Sequence, residues 1–358
     1  NVKKKILAIK GHSTLEKEQL RNENGDVRCV VFCVETRSDC SKKIHIDEML
    51  KLGTTRVELG VQSIYDDVLE KVKRGNGNRD NIVATQLLRD SFLKIGYHMM
   101  VGLPGSSREM DVKMFERLFS EDAYKPDALK IYPCMVFKGT ELYDEWKNGG
   151  FIPIDAEEAA ELIVEMKRHI PNYCRVMRIQ RDIPTYMVDA GVERTNLRQY
   201  VHEIMKKKGI KCRCIRCREP KNKRIYLEDA EMVRTDYDAS NGKEIFLSLD
   251  DVKQDILLGF ARLRIPYKPF RPEITDDNAG IREIHVYGNA VSVGKTAGKN
   301  DVQHHGIGKR LMEEAEKIAR EEFDKKKMVV IAGIGVKEWF VNKLNYKKDG
   351  VYVSKMLL

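Results

Sequence analysis

A chain of 358 residues is longer than one hydrophobic core usually grows, so two domains are expected, and an apolar share of 42% is enough to fill both. No stretch approaches the roughly 18 uninterrupted apolar residues of a membrane helix. The opening NVKKKILAIK has neither the apolar core nor the cleavage site of a signal peptide, so a cytoplasmic protein without a membrane contact is expected. The formal charge of +9 is unevenly spread, and its clustering matters more than its size.

From residue 1 to about 200, short apolar runs alternate with amphipathic stretches. KILAI (5–9), CVVFCVE (29–35), RVELGV (56–61), YHMMVG (97–102), LKIYP (129–133) and RVMRIQ (175–180) read as strands. IDEMLKL, NIVATQLLRDSF and AEEAAELIVEMKRHI between them carry helical periodicity. Strands alternating with helices predict an α/β fold with a parallel sheet, closed or partly closed into a barrel. Ligand groups in such barrels sit at the C-terminal strand ends, where Glu35 and Arg37, Glu58 and Gln62, and Gly102 with Pro104 fall.

Residues 201–225 read as a linker with its own chemistry. MKKKGIKCRCIRCREPKNKR (205–224) holds ten Lys or Arg against one Glu. Such a run is either a solvated face or a phosphate-binding surface. Its density favours the second, with Lys206, Lys207, Lys208, Lys211, Arg213, Arg216 and Arg218 as the contacts. Cys212, Cys214 and Cys217 within it form C-x-C-x-x-C, a spacing suited to zinc in a reducing compartment. Cys134, Cys174, His202 or water are the candidates for a fourth ligand.

From residue 226 to 358 the texture becomes α+β. EIFLSLDD, DILLGFARLRI, IREIHVYGNAVSV and KMVVIAGIG read as longer strands, interrupted by QHHGIGKRL and the helix that follows it. Here Gln303, His304, His305, Gly306, Ile307, Gly308 and Lys309 precede an amphipathic run. Glycines at a helix N-terminus let the backbone approach a phosphate, with unpaired N–H groups and the helix dipole behind them. The pattern is not the G-x-G-x-x-G of a dinucleotide fold. It resembles the pyrophosphate loop of the GNAT acetyltransferases, Q/R-x-x-G-x-G/A, which implies coenzyme A. The preceding strand REIHVYG offers Glu283, His285 and Tyr287, each a candidate base or an ordinary strand residue.

REIHVYG, QHHGIGKRLMEEAEKIAREE, VIAGIGV and KKDGVYVSKML together resemble the acetyltransferase domain of the Elongator catalytic subunit, in its archaeal or bacterial-like single-subunit form. RVELGVQSIYDDVLEKVKRGN, HMMVGLPG, DALKIYP, KGTELYDEWKNG and RVMRIQRDIP resemble its radical S-adenosylmethionine domain, in collinear order. The fold implied is a partial parallel (β/α) radical-SAM-type barrel followed by an α+β GNAT domain. The resemblance implies a transfer RNA acetyltransferase that uses acetyl-CoA, and S-adenosylmethionine radical chemistry in the intact protein, to form a 5-carboxymethyl-type group on the wobble uridine. It further implies S-adenosylmethionine near Glu58, Gln62, Gly102 and Pro104, structural zinc in the linker, and accessory subunits or a homodimer as partners. Transfer RNA phosphates would meet the basic run together with Arg262, Arg264 and Lys268.

Two departures stand out. The family's 4Fe–4S cluster needs C-x-x-x-C-x-x-C after the first strand, but Cys29-x-x-x-Cys33 is followed by Thr36, within an expected strand. KILAIKGHST corresponds to the family's second strand, which would place the cluster loop before Asn1. The family's acidic Tyr pair is replaced by Trp339-Phe340, leaving Tyr346 or Tyr352, or water, as the proton source. Two rival readings follow: a protein lysine acetyltransferase, and a non-catalytic scaffold that binds transfer RNA.

Overall fold

The computed structural model describes residues 2–221, 223, 225, 227–287 and 306–357. Its first sheet is all parallel and follows chain order: β1 (Cys33–Thr36), β2 (Arg56–Gln62), β3 (Lys94–Val101), β4 (Ala128–Pro133) and β5 (Arg175–Ile179). Helices Lys43–Lys51, Asn78–Asp90, Arg108–Ser120 and Ala156–Met166 cross between strands. Local chemistry starts these helices where they are. Asp155 accepts from the N–H groups of Glu157 and Glu158 at 2.8 Å, while Glu158 accepts from Asp155 N–H at 3.1 Å.

Alternation along β2 divides its side chains between two faces. Val57, Leu59 and Val61 pack with Ile46, Leu88 and Ile163 of the helices. Arg56, Glu58, Gly60 and Gln62 therefore share the opposite face, the inner face of an open, partial barrel.

KILAI is an exception to the expected strands. It lies in a helix, Val2–Ile9. An apolar run of five is ambiguous between helix and strand, and the straight-chain lysines before it favour helix. Its correspondence with a second barrel strand therefore fails. Cys29 also lies outside the strand that begins at Cys33.

The second sheet has seven strands: β6 (Ala230–Ala239), β7 (Gly242–Asp251), β8 (Ile256–Ile265), β9 (Asn278–Val286), β10 (Lys327–Val330), β11 (Lys347–Asp349) and β12 (Tyr352–Met356). Their spatial order is β11-β12-β10-β9-β8-β7-β6, antiparallel throughout except for β9 beside β10. One face packs on helix Ile307–Glu321 through Leu311, Ala315 and Ile318. Phe246, Leu257 and Phe260 on the other face join the core of the first sheet. The central strands are thus buried on both sides.

Charge pins the two sheets together. Asp127 lies just before β4, and its carboxylate takes Ile95 N–H at 2.8 Å and Arg282 of β9 at 2.5 and 2.9 Å. Arg264 of β8 reaches Asp90 at 2.7 Å, and Arg262 reaches the Tyr173 carbonyl at 2.6 Å. Arg262 and Arg264, expected above to meet RNA phosphates, are therefore corrected to buried interface residues. Lys268 remains exposed. Because Asp127 and the Arg89–Leu93 turn precede strands, the second sheet sits beneath the N-terminal ends of the first. No helix among the described residues is long and apolar enough to cross a membrane.

Candidate active site

A cavity of about 310 Å³ lies at the junction of the two sheets. The parallel sheet contributes Arg56, Lys94, Arg175 and Met177 from its strand starts, and β9 contributes Glu283, His285 and Tyr287. The sequence run that feeds this wall is strand alternation. β9 pairs with β10 only over Asn278–Ile281 but follows β8 to Val286, so beyond Ile281 the strands part and, among the described residues, no strand pairs with that edge of β9.

The three β9 side chains are not equivalent. Burial alone would raise the Glu283 carboxyl, but the Lys94 ammonium and the Arg262 guanidinium, its Nε at 2.8 Å, outweigh that and hold the pKa at about 2. A carboxylate so weakly basic is a poor proton acceptor, so Glu283 is corrected to an electrostatic anchor. The His285 side chain is solvent-exposed, yet partial desolvation lowers its pKa, and its imidazole lies against Phe260 and Tyr287 with ring centroids at 5.9 and 4.4 Å. Burial pushes the Tyr287 phenol up, and Arg175 Nη1 donates to its oxygen at 2.7 Å. His285 can accept a proton and Tyr287 can donate one. Tyr346 and Tyr352 fall away from this cavity, their hydroxyls donating to Glu316 at 2.8 Å and to the Ser91 carbonyl at 3.0 Å. Tyr346 is thereby corrected to a packing residue.

At the helix start, Gln303, His304 and His305 lie outside the described residues. Gly306 caps the helix with φ 76° and no side-chain hydrogen bond, and a Cβ there would point into open space. Among the described residues no side chain caps the first-turn N–H groups, which is the setting an anion uses. Ile307 turns its side chain into the core and offers only its backbone. Gly308 lies under Trp339, whose ring would meet a Cβ there at 3.6 Å. Lys309 is exposed, 3.6 Å from Glu313.

The opposite end of the parallel sheet carries a second cavity, of about 420 Å³, lined by Gln62, Met100, Pro104, Cys134, Arg74 and Arg181 among others. The Gln62 side-chain oxygen Oε1 is buried without a hydrogen-bond partner among the described residues. Glu58 points elsewhere on the inner face, its carboxylate engaged by Arg56, by Lys130 and by His98 Nε2 at 2.7 Å. As a direct ligand contact Glu58 is corrected. Gly102, with φ 68°, gives its N–H to Asp111 at 2.7 Å and shapes the turn without lining the cavity.

In the linker, the Cys212, Cys214 and Cys217 sulfurs lie within 4.8 Å of one another. Beside them His202 has a buried Nε2 without a hydrogen bond, and burial with nearby Lys167 lowers its pKa to about 4, the neutral form a metal requires. Cys134 belongs to the distant cavity, and Cys174 lies outside the sulfur cluster. Lys206, Lys207, Lys211 and Arg213 are exposed, with no acidic partner among the described residues. Arg218 is corrected: it is 5% exposed and tied to Asp250 and Asp255 at 2.5 and 2.8 Å. Lys208 meets Glu161, and Arg216 meets Glu219 at 3.4 Å.

Residues 5–118 match the Radical SAM superfamily, 126–207 the Radical_SAM C-terminal domain, and 212–336 the Acetyltransferase (GNAT) family. A tRNA uridine(34) acetyltransferase of Methanocaldococcus infernus is 52% identical over 96% of this chain and 65% of its own length. One of Dehalococcoides mccartyi is 41% identical over 96% of this chain and 75% of its own. The chain belongs to the tRNA uridine(34) acetyltransferase and Elongator complex protein 3 family. Elongator complex protein 3 of Dictyostelium discoideum is 41% identical over 98% of this chain and 64% of its own length. A solved structure of the archaeal Methanocaldococcus infernus Elp3 with an N-terminal deletion superposes with a TM-score of 0.92, at 50% identity, covering 97% of this chain and 83% of that one. The chain spans about 65% of the length of its first curated relatives.

For this Elongator complex protein 3 family member, sequence reasoning missed Lys94 and Arg175. Both stand at strand starts, where a barrel is not searched for ligands, and only the docking of β9 beneath those ends gives them a role.

Proposed function

We propose that this protein transfers the acetyl group of acetyl-CoA toward carbon 5 of the wobble uridine in transfer RNA, within an enzyme that forms a 5-carboxymethyl-type modification. The observation that carries this reading is the glycine start of helix Ile307–Glu321, without a side-chain cap among the described residues, near the end of β9, which runs to the cavity holding His285 and Tyr287. Backbone N–H groups at Gly306–Gly308 would hold the pyrophosphate of acetyl-CoA, and the β9 edge would pair with its amide-bearing arm. Acetyl-CoA supplies an activated two-carbon group. His285 takes a proton at its neutral imidazole, and Tyr287, oriented by Arg175, keeps one to give. Glu283, Lys94 and Arg262 hold the wall rigid.

At the other end of the barrel, Gln62 and Pro104 would hold S-adenosylmethionine, the unpartnered Gln62 oxygen fitting a polar ligand. That ligand supplies radical chemistry. Cys29, Cys33 and Cys40 form no metal-ligating group among the described residues, so they do not fit a 4Fe–4S cluster and no step passes through one. Cys212, Cys214, Cys217 and His202 fit zinc in a structural role, within a linker we place at residues 201–225. The exposed linker cations would take transfer RNA phosphates.

Calorimetric titration with acetyl-CoA, followed by thiol release with and without transfer RNA, tests the reading. Binding weakened at least tenfold by Gly306→Val, with thiol release stimulated by transfer RNA, is expected. Neither binding nor release would favour a scaffold. Release stimulated by lysine peptides and not by RNA would favour a protein acetyltransferase.

A further inference from the structure

The loop after β5 carries a large aromatic ring with nothing to pack against. Tyr186 is 87% exposed, on a short turn at Thr185–Met187, and makes no ring contact or hydrogen bond among the described residues. Water disfavours an exposed ring of this size, though a single one on a surface is ordinary; its setting is what distinguishes it. Both feet of the loop stand on the wall of the 420 Å³ mouth cavity. At one foot Arg181 lines that cavity and lies over the Tyr132 ring at 5.2 Å, without an acidic partner among the described residues. At the other, Asp189 N–H donates to Val136 O at 3.0 Å, and Val136 N–H donates to Ala190 O at 2.9 Å, next to the lining residues Cys134 and Met135. The turn between is held by Met187 N–H on the Pro184 carbonyl at 3.0 Å.

Tyr186 is five residues from Arg181 and four from Ala190, so it stands within roughly 18 Å of the cavity wall, at about 3.5 Å per residue. The rim nearby is cationic: Lys71, Lys73, Arg74 and Arg181 against Glu141 and Glu145. An exposed aromatic face near cations of which only Lys73 is paired, with Glu141, among the described residues is the arrangement that binds single-stranded nucleic acid, whose bases stack while its phosphates meet the charge.

We propose that Tyr186 is a stacking platform for an unpaired nucleobase of the RNA, at the mouth of the barrel. The proposal rests on the transfer RNA reading above and adds where an unstacked base is held. A ring removed from helical stacking loses contact energy, and a second ring replaces it without reading the base identity.

The test uses the full chain and a fluorescent RNA hairpin with an anticodon-type loop. Because Tyr186 has no packing partner, its substitution leaves the fold intact. Y186A is expected to weaken hairpin binding about 5- to 150-fold, while Y186F and Y186W keep the parent affinity. The log–log salt slope stays that of the parent, since no phosphate contact is lost. Indole emission of Y186W is expected to be quenched by the hairpin and left unchanged by a blunt duplex of the same length. Parent-like affinity of Y186A, equal weakening by Y186F, or unquenched Y186W in a saturated complex would overturn the platform while leaving RNA binding standing. A parent chain that binds no RNA would overturn both, and an Y186A defect confined to binding another protein would assign the ring to a protein partner instead.

Discussion

Arg282 of β9 and Asp127 ahead of β4 face each other at 2.5 and 2.9 Å, both fully buried, and join the acetyltransferase sheet to the floor of the parallel sheet. Asp127 is shared: Arg262 Nη1 lies 3.5 Å away, and Glu244 closes the other side of Arg282 at 2.9 Å. Ions held this deeply cost much to desolvate, and their partners offset it only while all are present.

Asp127→Ala would leave two buried guanidiniums short of an anion. We expect a loss of about 3–5 kcal/mol in urea denaturation. Asp127→Leu combined with Arg282→Met should recover much of it, since no uncompensated charge remains. Equal losses in the single and double variants would show that packing, not charge, joins the sheets.

A second consequence concerns acid. The Glu283 pKa lies at about 2 when folded against an ordinary 4.5, so its ion pairs stabilise the fold fully above pH 4.5 and lose that contribution as pH falls toward 2. The difference corresponds to about 3 kcal/mol. Glu283→Gln should be less stable than the parent at pH 7 and approach it below pH 3, in urea midpoints taken across that range. A constant gap between the two at every pH would contradict the assignment.

The order of strands and helices was legible because apolar runs and helical period report burial, as in Val57, Leu59 and Val61, all buried on β2. The short run KILAI was not, since five apolar residues fit either period. Gly306 at the helix start was legible as a turn glycine because a backbone at φ 76° leaves few other residues possible. Arginines were the least legible. Arg262, Arg264 and Arg218 look like surface charge in one dimension, and only partners 21 to 174 positions away in the chain reveal them as buried. Glu283 and Glu58 misled for the same reason: a carboxylate on a strand looks free until its cations arrive from other strands.

Zinc at Cys212, Cys214 and Cys217, as proposed, predicts a stoichiometry. With His202 as the fourth ligand, elemental analysis should find one zinc per chain, and Cys214→Ser should remove it. His202→Ala should keep zinc bound but weaken it about 10- to 100-fold in competition with a chelator, as expected when one of four ligands gives way to water. Unchanged chelator competition in His202→Ala would return the fourth place to Cys174 or water.

The linker cations predict a salt dependence. Lys206, Lys207, Lys211 and Arg213 have no acidic neighbour among the described residues, whereas Lys208 is occupied by Glu161 and Arg218 is buried. Each free cation that meets a phosphate releases counterions and adds roughly −0.7 to −0.9 to the log–log slope of affinity against salt. Replacing Lys207 and Lys211 by Ala should therefore flatten that slope by about 1.4 to 1.8, in anisotropy titrations with whole transfer RNA. Different transfer RNAs should weaken alike, since phosphate contacts position the ligand without reading sequence. Lys208→Ala should change the slope least, because its charge is already balanced. Acetyl-CoA affinity should hold in all three, as none of these lysines lines the cavity that holds His285 and Tyr287. A slope unchanged by the Lys207 and Lys211 pair would make the run a solvated face and move RNA binding to the barrel mouth alone.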